Sequence, residues 1–356
     1  MRILFDIGHP GHVHLFKNLA QRFINEGSEV LFTTRDKEFE HHLLKAEGLP
    51  FVSLGKHYKS ITGKIWGLFK YDFKLWRVAR RFKPDLFVSH GSIYAAHAAF
   101  LLGKKHLALE DTGNMEQIRI YKPFTDKIIS PRVLPVELGD KQVRYNGFHE
   151  LAYLRPEYFQ PDPAIYNWLG LKSGEPFAII RFVSWNATHD VGQRGLSNKD
   201  KTRLVELLRK RMQVFISSEA KLPAQLEAYQ FRLAPEQLHH ALYHASLVIS
   251  EGSTIASEAG VLGTPAIYIN SNPMSYCQEQ ERYGLVYNTT NSEKVFAFLN
   301  EILDQDRKVF RDRRNKLIKD TVDVTAFLYA YINDHYRAET SLSAKTNASV
   351  VHEQII

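Results

Sequence analysis

The sequence of 356 residues contains a single cysteine, Cys277. That excludes an internal disulfide framework and a zinc cluster held by several thiolates. No run of about 18 apolar residues occurs, so no helix is expected to span a bilayer. The opening MRILFDIGHP reads as a strand entering a turn, without the apolar stretch and small-residue cleavage site of a secretory signal. A cytoplasmic location is the resulting expectation. Zinc-finger spacing, an RNA-recognition signature and a basic-region zipper are all missing, so nucleic acid is not an expected partner. The net charge of +7 suits any anionic partner and chooses none. Beyond two similar halves, no repeat of about 20–50 residues stands out.

What is present is the composition of a globular protein, with 44% apolar and 24% charged residues. The length suits two domains of about 150 residues each. Strand and helix signals alternate, which is the pattern of a parallel sheet wound with helices. In the first half, strands are expected at residues 2–7, 29–34, 85–90, 106–111 and 126–131. Helices are expected at 14–26, 38–47, 61–82 and 93–102. In the second half, strands fall at 176–183, 213–218, around 247–252 and 265–270, with a strand or turn near 285–287. Helices there cover about 198–211, 235–245 and 292–303, and a charged helix follows Arg307. The boundaries read as 1–150 for the first domain, 151–175 for a proline-rich connector, and 176–310 for the second domain. A closing helix over 311–337 and an aperiodic polar tail over 338–356 complete the chain.

The segment LVISEGSTIASEAGVLGTPAIYI, Leu247 to Ile269, is the most informative. A buried strand runs through a small-residue turn into a helix and on to a second strand. Gly252, Ser253 and Thr254 let a ligand approach the backbone, and the unpaired N–H groups that begin the helix suit a phosphate. Glu258, about one helical turn later, is placed to reach a ribose hydroxyl. The bland alternative is a helix capped by Ser253 or Thr254.

Doubly wound sheets bind ligands outside the carboxyl ends of their strands, and the other polar candidates fall at such ends. His9, His12 and His14 lie in a Gly- and Pro-containing turn after the first strand. They show no carboxylate at the spacing of a zinc-binding helix, so no metal is expected. His9 or His12 is read as a general base or as a donor to an anion, with a merely structural turn as the alternative. His90 and Ser92 end another strand, and Glu110 and Asp111 a third. Either carboxylate suits a base, and a helix cap suits Asp111 equally. Arg181, Trp185, Asn186 and His189 form a polar, aromatic exit from the strand that opens the second half. There Arg181 can meet a phosphate and Trp185 a base or sugar face, or Trp185 can anchor the loop. Asp304-Gln305-Asp306 has the Asp-x-Asp pattern of some metal-dependent sugar transferases but lies between helical segments, and is read as a solvated turn. Basic residues from Lys56 to Lys83 interleave with Trp66, Phe69, Tyr71, Phe73 and Trp76. Such a helix can lie on an anionic bilayer, although packing of its aromatics into the first domain is the preferred reading.

RILFDIGHPGHVHLFKNLA, RFVSWNATHD and SEGSTIASEAGVLGTPAIY together resemble the domain-of-unknown-function 354 family. That family is related to GT-B glycosyltransferases and to the non-hydrolysing UDP-N-acetylglucosamine 2-epimerases. The resemblance implies a GT-B-like fold, two doubly wound Rossmann-like domains facing a central cleft. It implies a nucleotide sugar bound in the second domain through Gly252, Ser253, Thr254 and Glu258, and an acceptor in the first. Glu110 matches a catalytic glutamate of the epimerases and Glu116 can match their second. Ser92 stands where they carry Asp, and their Gly-Thr-Arg-Pro and Thr-His-Arg-Arg motifs are absent, which counts against 2-epimerisation. The expectation is a metal-independent glycosyltransferase without a cofactor. It would use a nucleotide-diphosphate sugar and a cell-envelope glycan or lipid-linked acceptor, with peripheral membrane contact where the acceptor is lipid-linked. The alternatives are an epimerase-like enzyme and a nucleotide-sugar-binding protein without catalysis.

Overall fold

The computed structural model describes residues 1–36, 39–56, 61–183, 196–219 and 221–337, with the backbone alone for 61–66 and 68. The chain forms two compact units. Unit 1 comprises Met1–Tyr153 and the chain from Val322, and unit 2 is Leu154–Thr321.

Unit 1 opens with β1 (Arg2–Asp6), α1 (Pro10–Asn25), β2 (Glu29–Asp36), α2 (Glu40–Ala46) and β3 (Phe51–Lys56). It continues through α3 (Ile61–Phe82), β4 (Leu86–His90), α4 (Ile93–Leu101), β5 (Lys105–Leu109), α5 (Met115–Tyr121), β6 (Lys127–Pro131) and β7 (Gln142–Tyr145). All seven strands pair in parallel in the order β3-β2-β1-β4-β5-β6-β7. Chain order reverses between β1 and β4, which makes that point the natural ligand crevice of the sheet. The central strands are buried along their length, as near-continuous apolar runs in a parallel sheet must be.

Helix α1 begins four residues earlier than its apolar period indicates. Pro10 occupies the first turn, where its missing N–H costs nothing, and His9 is the N-cap. Strands β3 and β7 were not foreseen, and both are sheet edges whose weak burial leaves no clear alternation to read.

In unit 2, α6 (Leu151–Leu154) straddles the boundary and α7 (Ile165–Trp168) follows. Then come β8 (Phe177–Phe182), α8 (Asn198–Leu208), β9 (Gln213–Ser218), α9 (Leu238–His244) and β10 (Leu247–Ser250). After α10 (Ser253–Leu262) come β11 (Ala266–Ile269), α11 (Ser275–Arg282), β12 (Val286–Thr289), α12 (Ser292–Leu303) and α13 (Arg307–Asp320). The strands pair in parallel in the order β12-β11-β10-β8-β9, so the crevice lies between β8 and β10.

The single closing helix expected over 311–337 is two helices, α13 and α14 (Val324–Ile332). Thr321 takes an extended conformation, and Asp323 caps α14 by accepting from the Ala326 N–H. Neither glycine nor proline marks the break, so composition concealed it. Helix α14 returns to unit 1, where Thr325 Oγ1 donates to the Ala152 carbonyl at 2.9 Å.

Candidate functional site

In unit 2 the end of β10 leads into α10 through Glu251 and Gly252. Gly252 is the N-cap and, having no side chain, leaves the helix start without a side-chain cap. Neither Ser253 nor Thr254 is the cap, so the cap of the bland alternative is not the one observed. Thr254 is exposed in the first turn, and Tyr276 O–H donates to Ser253 Oγ from behind at 2.8 Å. Short side chains thus begin a helix at a sheet crossover, the kind of place where first-turn amides and the helix dipole favour an anion.

Glu251 was not singled out from sequence, yet it organises this crevice. Its carboxylate is buried and accepts the Val183 N–H at Oε2 and the Leu196 N–H at Oε1, each at 3.0 Å. Lys201 Nζ stands 3.6 Å from Oε1. Burial pushes the Glu251 carboxyl up, against Lys201 and the two amides, which pull it down. One side chain thus ties Val183, after β8, to Leu196, before α8. The candidates Trp185, Asn186 and His189 lie outside the described residues.

Two further expectations change in unit 2. Arg181 is not left open to a phosphate, because its guanidinium donates to Ser217 Oγ and Glu219 Oε1, both at 2.6 Å. The parallel register sets Arg181 opposite Ser217, so the neighbouring strand takes the charge. Glu258 is buried, with Oε1 3.0 Å from His239 Nε2 on α9. A ribose contact would have to share this carboxylate with His239.

In unit 1 the crossover between β1 and β4 gathers more titratable groups. His9 Nδ1 accepts the Gly11 N–H at 3.1 Å as the cap of α1. His12 Nδ1 accepts the Gly8 N–H at 3.3 Å. In the neutral rings these acceptors assign the proton to Nε2, which favours the donor alternative of the reading over the general base. For His12, burial and the neighbouring His90 and His9 hold the ring well below the usual histidine range, in its neutral form. His14 faces elsewhere, stacked on Tyr153 at 5.5 Å between centroids.

Glu110 also departs from the role of base. Oε1 accepts from Thr112 N, Thr112 Oγ1 and Gly113 N at 2.7–2.9 Å, and Oε2 accepts from Tyr121 O–H at 2.9 Å. A buried carboxylate with four donors is engaged in shaping the loop. Gly91 permits this arrangement, having φ +56° and an absent Cβ that would meet Glu110 Oε2 at 3.3 Å. Glu116 is exposed on α5.

Ser92 likewise has structural work. It caps α4 by accepting from Ala95 N–H, and it donates to Asp6 Oδ2. Asp6 is buried and pairs with Arg35 at 3.1 Å and with Thr33 Oγ1 at 2.7 Å. This network at the end of β1 was missed, although a polar residue closing a buried strand is a signal for it.

Asp111 is the carboxylate that faces the histidines. It does not cap α5, a position held by Asn114. Oδ1 is 2.9 Å from His90 Nε2, and Oδ2 is 3.1 Å from His149 Nδ1. Burial works to raise the Asp111 carboxyl, but His149 and His90 overcome it and hold the group well below the carboxylate range. For His90, burial works downward, while Asp111 and Glu110 dominate and raise it. His12 stacks on His90 at 4.5 Å. His149 was missed because it lies at the end of the first domain in a stretch without strand or helix period, far in sequence from its partners.

Asp304 and Asp306 are exposed, and Asp306 caps α13 by accepting from the Lys308 N–H, as a solvated turn predicts. On α3, Tyr71, Leu75 and Ala79 pack into the core of unit 1, whereas Phe69 and Phe73 are exposed. No helix among the described residues is long and apolar enough to cross a membrane.

Two parallel-sheet Rossmann-like units, each with polar residues at its crossover, define a GT-B-like fold of the kind used by glycosyltransferases and nucleotide-sugar epimerases. The chain belongs to the protein family of unknown function DUF354, whose model matches residues 1–333. The uncharacterised protein MJ0665 of Methanocaldococcus jannaschii is 24% identical over 279 residues, covering 74% of this chain and 80% of its own length. Among solved structures, a UDP-GlcNAc 2-epimerase from Neisseria meningitidis bound to UDP-GlcNAc matches with TM-score 0.61 and 12% identity, covering 90% of this chain and 99% of its own. A spinosyn rhamnosyltransferase complexed with spinosyn aglycone matches with TM-score 0.60 and 14% identity, covering 94% and 100%. A Streptomyces sp. SF2575 glycosyltransferase matches with TM-score 0.58 and 15% identity, covering 90% and 95%.

Proposed function

We propose that the protein is a glycosyltransferase that uses a nucleotide-diphosphate sugar. The observation that carries this reading is the uncapped start of α10 at the β8–β10 crossover. There the diphosphate meets the first-turn amides, and as the sugar departs the helix dipole stabilises the developing charge, so the donor side needs no metal or cofactor. Glu258 reaches the ribose by sharing its carboxylate between His239 and a hydroxyl. Unit 1 takes the acceptor at its own crossover, where His12 offers an N–H and Asp111 an ionised carboxylate. The solved neighbours that hold UDP-GlcNAc and an aglycone support a donor and an acceptor in this fold. The acceptor is a cell-envelope glycan or lipid-linked glycan, and exposed Phe69 and Phe73 beside Arg77 and Arg80 on α3 suit the lipid-linked form.

An epimerase-like reaction is the second reading, favoured by the epimerase neighbours and opposed by the four donors that occupy Glu110. Product analysis separates the two, because transfer requires an acceptor and epimerisation proceeds without one.

The donor site is tested by replacing the cap. At Gly252 the backbone is extended, and an added Cβ would meet Val183 at 3.5 Å, an ordinary contact. Gly252→Asp should therefore fold, gain a few tenths of a kcal/mol from capping, and block the amides with a carboxylate. UDP-, GDP-, CMP- and dTDP-linked sugars are added to wild type and variant, and thermal unfolding is followed. A donor at about 100 times its Kd stabilises the native state by about 2.7 kcal/mol. One class should raise the melting temperature of wild type and leave Gly252→Asp unmoved. No shift with any class, or equal shifts in both proteins, defeats the assignment.

A further inference from the structure

We propose that His90, Asp111 and His149 form a binding site for a divalent first-row transition metal of the zinc type. The inference concerns unit 1 alone and does not depend on the transferase reading; it revises the sequence-based expectation of a metal-free site. Three separate stretches of chain converge on it: the last residue of β4, the loop after β5, and the turn after β7. One ligand atom from each side chain lies within 4.8 Å of the other two.

Asp111 is the common partner of both rings: His90 Nε2 is hydrogen-bonded to Oδ1 at 2.9 Å, and His149 Nδ1 stands by Oδ2 at 3.1 Å. The His149–Asp111 contact is an ion pair, and no hydrogen bond of ordinary geometry accompanies it. His149 is 5% exposed, and neither of its ring nitrogens has a hydrogen-bond partner. Buried imidazoles are ordinarily hydrogen-bonded, so a ring whose nitrogens lack that geometry calls for an occupant. Two ligands at about 2.05 Å from a tetrahedral ion stand roughly 3.3 Å apart. The three ligand atoms, within 4.8 Å of one another, need side-chain adjustments of about an ångström to reach that spacing.

The donor set selects the ion. Two imidazoles and one carboxylate suit zinc, iron(II) or cobalt(II), and they offer too few oxygens for calcium or magnesium. Three protein ligands leave coordination positions open, the arrangement of an ion that meets an oxygen ligand and not of a closed structural site. The rings are fixed by packing before any ion arrives. His12 stacks on His90 at 4.5 Å, His149 meets His90 edge-on at 5.2 Å, and Tyr145 lies along His149 at 6.1 Å. Such support holds ligand geometry in place.

The test uses the full-length chain stripped with a chelator and titrated with Co2+, read by metal analysis after equilibrium dialysis and by visible absorption. One equivalent should bind, give the absorption of an imidazole- and carboxylate-coordinated ion, and raise the melting temperature. Asp111→Asn and His149→Gln should each weaken binding by at least about tenfold, since even residues that merely support ligands have effects of this size. Circular dichroism checks their folding. Should His149→Gln not fold, His90→Gln, at a partly exposed position, carries the same comparison. Absence of stoichiometric Co2+ on the wild type overturns the proposal, as do folded variants that bind as tightly as wild type. Because no sugar enters the assay, its outcome is separate from that of the donor-site test.

Discussion

His106 is an imidazole with no place for a second proton. It is fully buried on β5, with Nε2 2.9 Å from Ser89 Oγ and Nδ1 2.9 Å from Thr125 Oγ1. Burial lowers it to about 3, against an ordinary value of 6.5. The folded form therefore resists a proton that the unfolded chain accepts. Stability from this group is complete above about pH 6.5 and erodes as the pH falls toward about 3, by an order of a few kcal/mol. Urea midpoints for wild type and His106→Gln, measured from about pH 7 to about pH 4, isolate the effect. The variant should start less stable and decline less steeply; parallel declines would show that His106 does not titrate in this way. At the same scale, Arg181 and Glu110 show what residue type leaves unsaid. Each had the right chemistry at a strand end, but their partners sit on another strand or later in the same loop. A side chain's availability depends on neighbours that sequence proximity does not reveal.

Helix α10 shows how an element can be legible when its side chains are not. The change from buried strand to small residues to helix located the turn, because Gly-Ser-Thr has few other uses between a parallel strand and its crossover helix. Its end was equally marked, since Gly263 has φ +81° as the left-handed C-cap. An added Cβ there would stand 3.1 Å from Arg314 Cβ on α13. Gly263→Ala should cost about 1–2 kcal/mol from backbone strain and this contact together, read as a lower urea midpoint. A midpoint equal to that of wild type would deny the strain. Most strands and helices were legible in the same way, as buried apolar runs alternating with helical period. The exceptions were the edge strands β3 and β7, weakly buried, the short helices α5, α6, α7 and α11, and the α13–α14 break, signalled by Asp323 alone. His149 was invisible for a related reason: the stretch that carries it has no period, and only the folded turn after β7 brings it to Asp111.

At the scale of the molecule, the chain leaves unit 1 at Tyr153 and re-enters it at Val322. The returning helix is integral to that unit. Val324, Leu328 and Ile332 are buried, Tyr329 packs on Phe23 at 5.0 Å, and the Arg22 guanidinium lies 3.6 Å over the Tyr329 ring. At about 1.5–3 kcal/mol for each buried aliphatic side chain, removing α14 withdraws on the order of 5 kcal/mol, comparable to the whole stability of a domain. A chain truncated after Thr321 should thus expose residues 1–153 to limited proteolysis while residues 154–321 persist as a resistant fragment. Equal resistance of both regions would contradict this role for α14.

The same return has a consequence during synthesis. A ribosome adding about 5–20 residues per second delivers α1 early and α14 only after a further delay of roughly 15–60 seconds. In that interval unit 2, an unbroken segment, can emerge and fold whole, while the first sheet waits with the apolar seat of Phe23 uncovered. The part of the protein made first is the part completed last, and its exposure to chaperones and proteases is set by the rate of translation through the other.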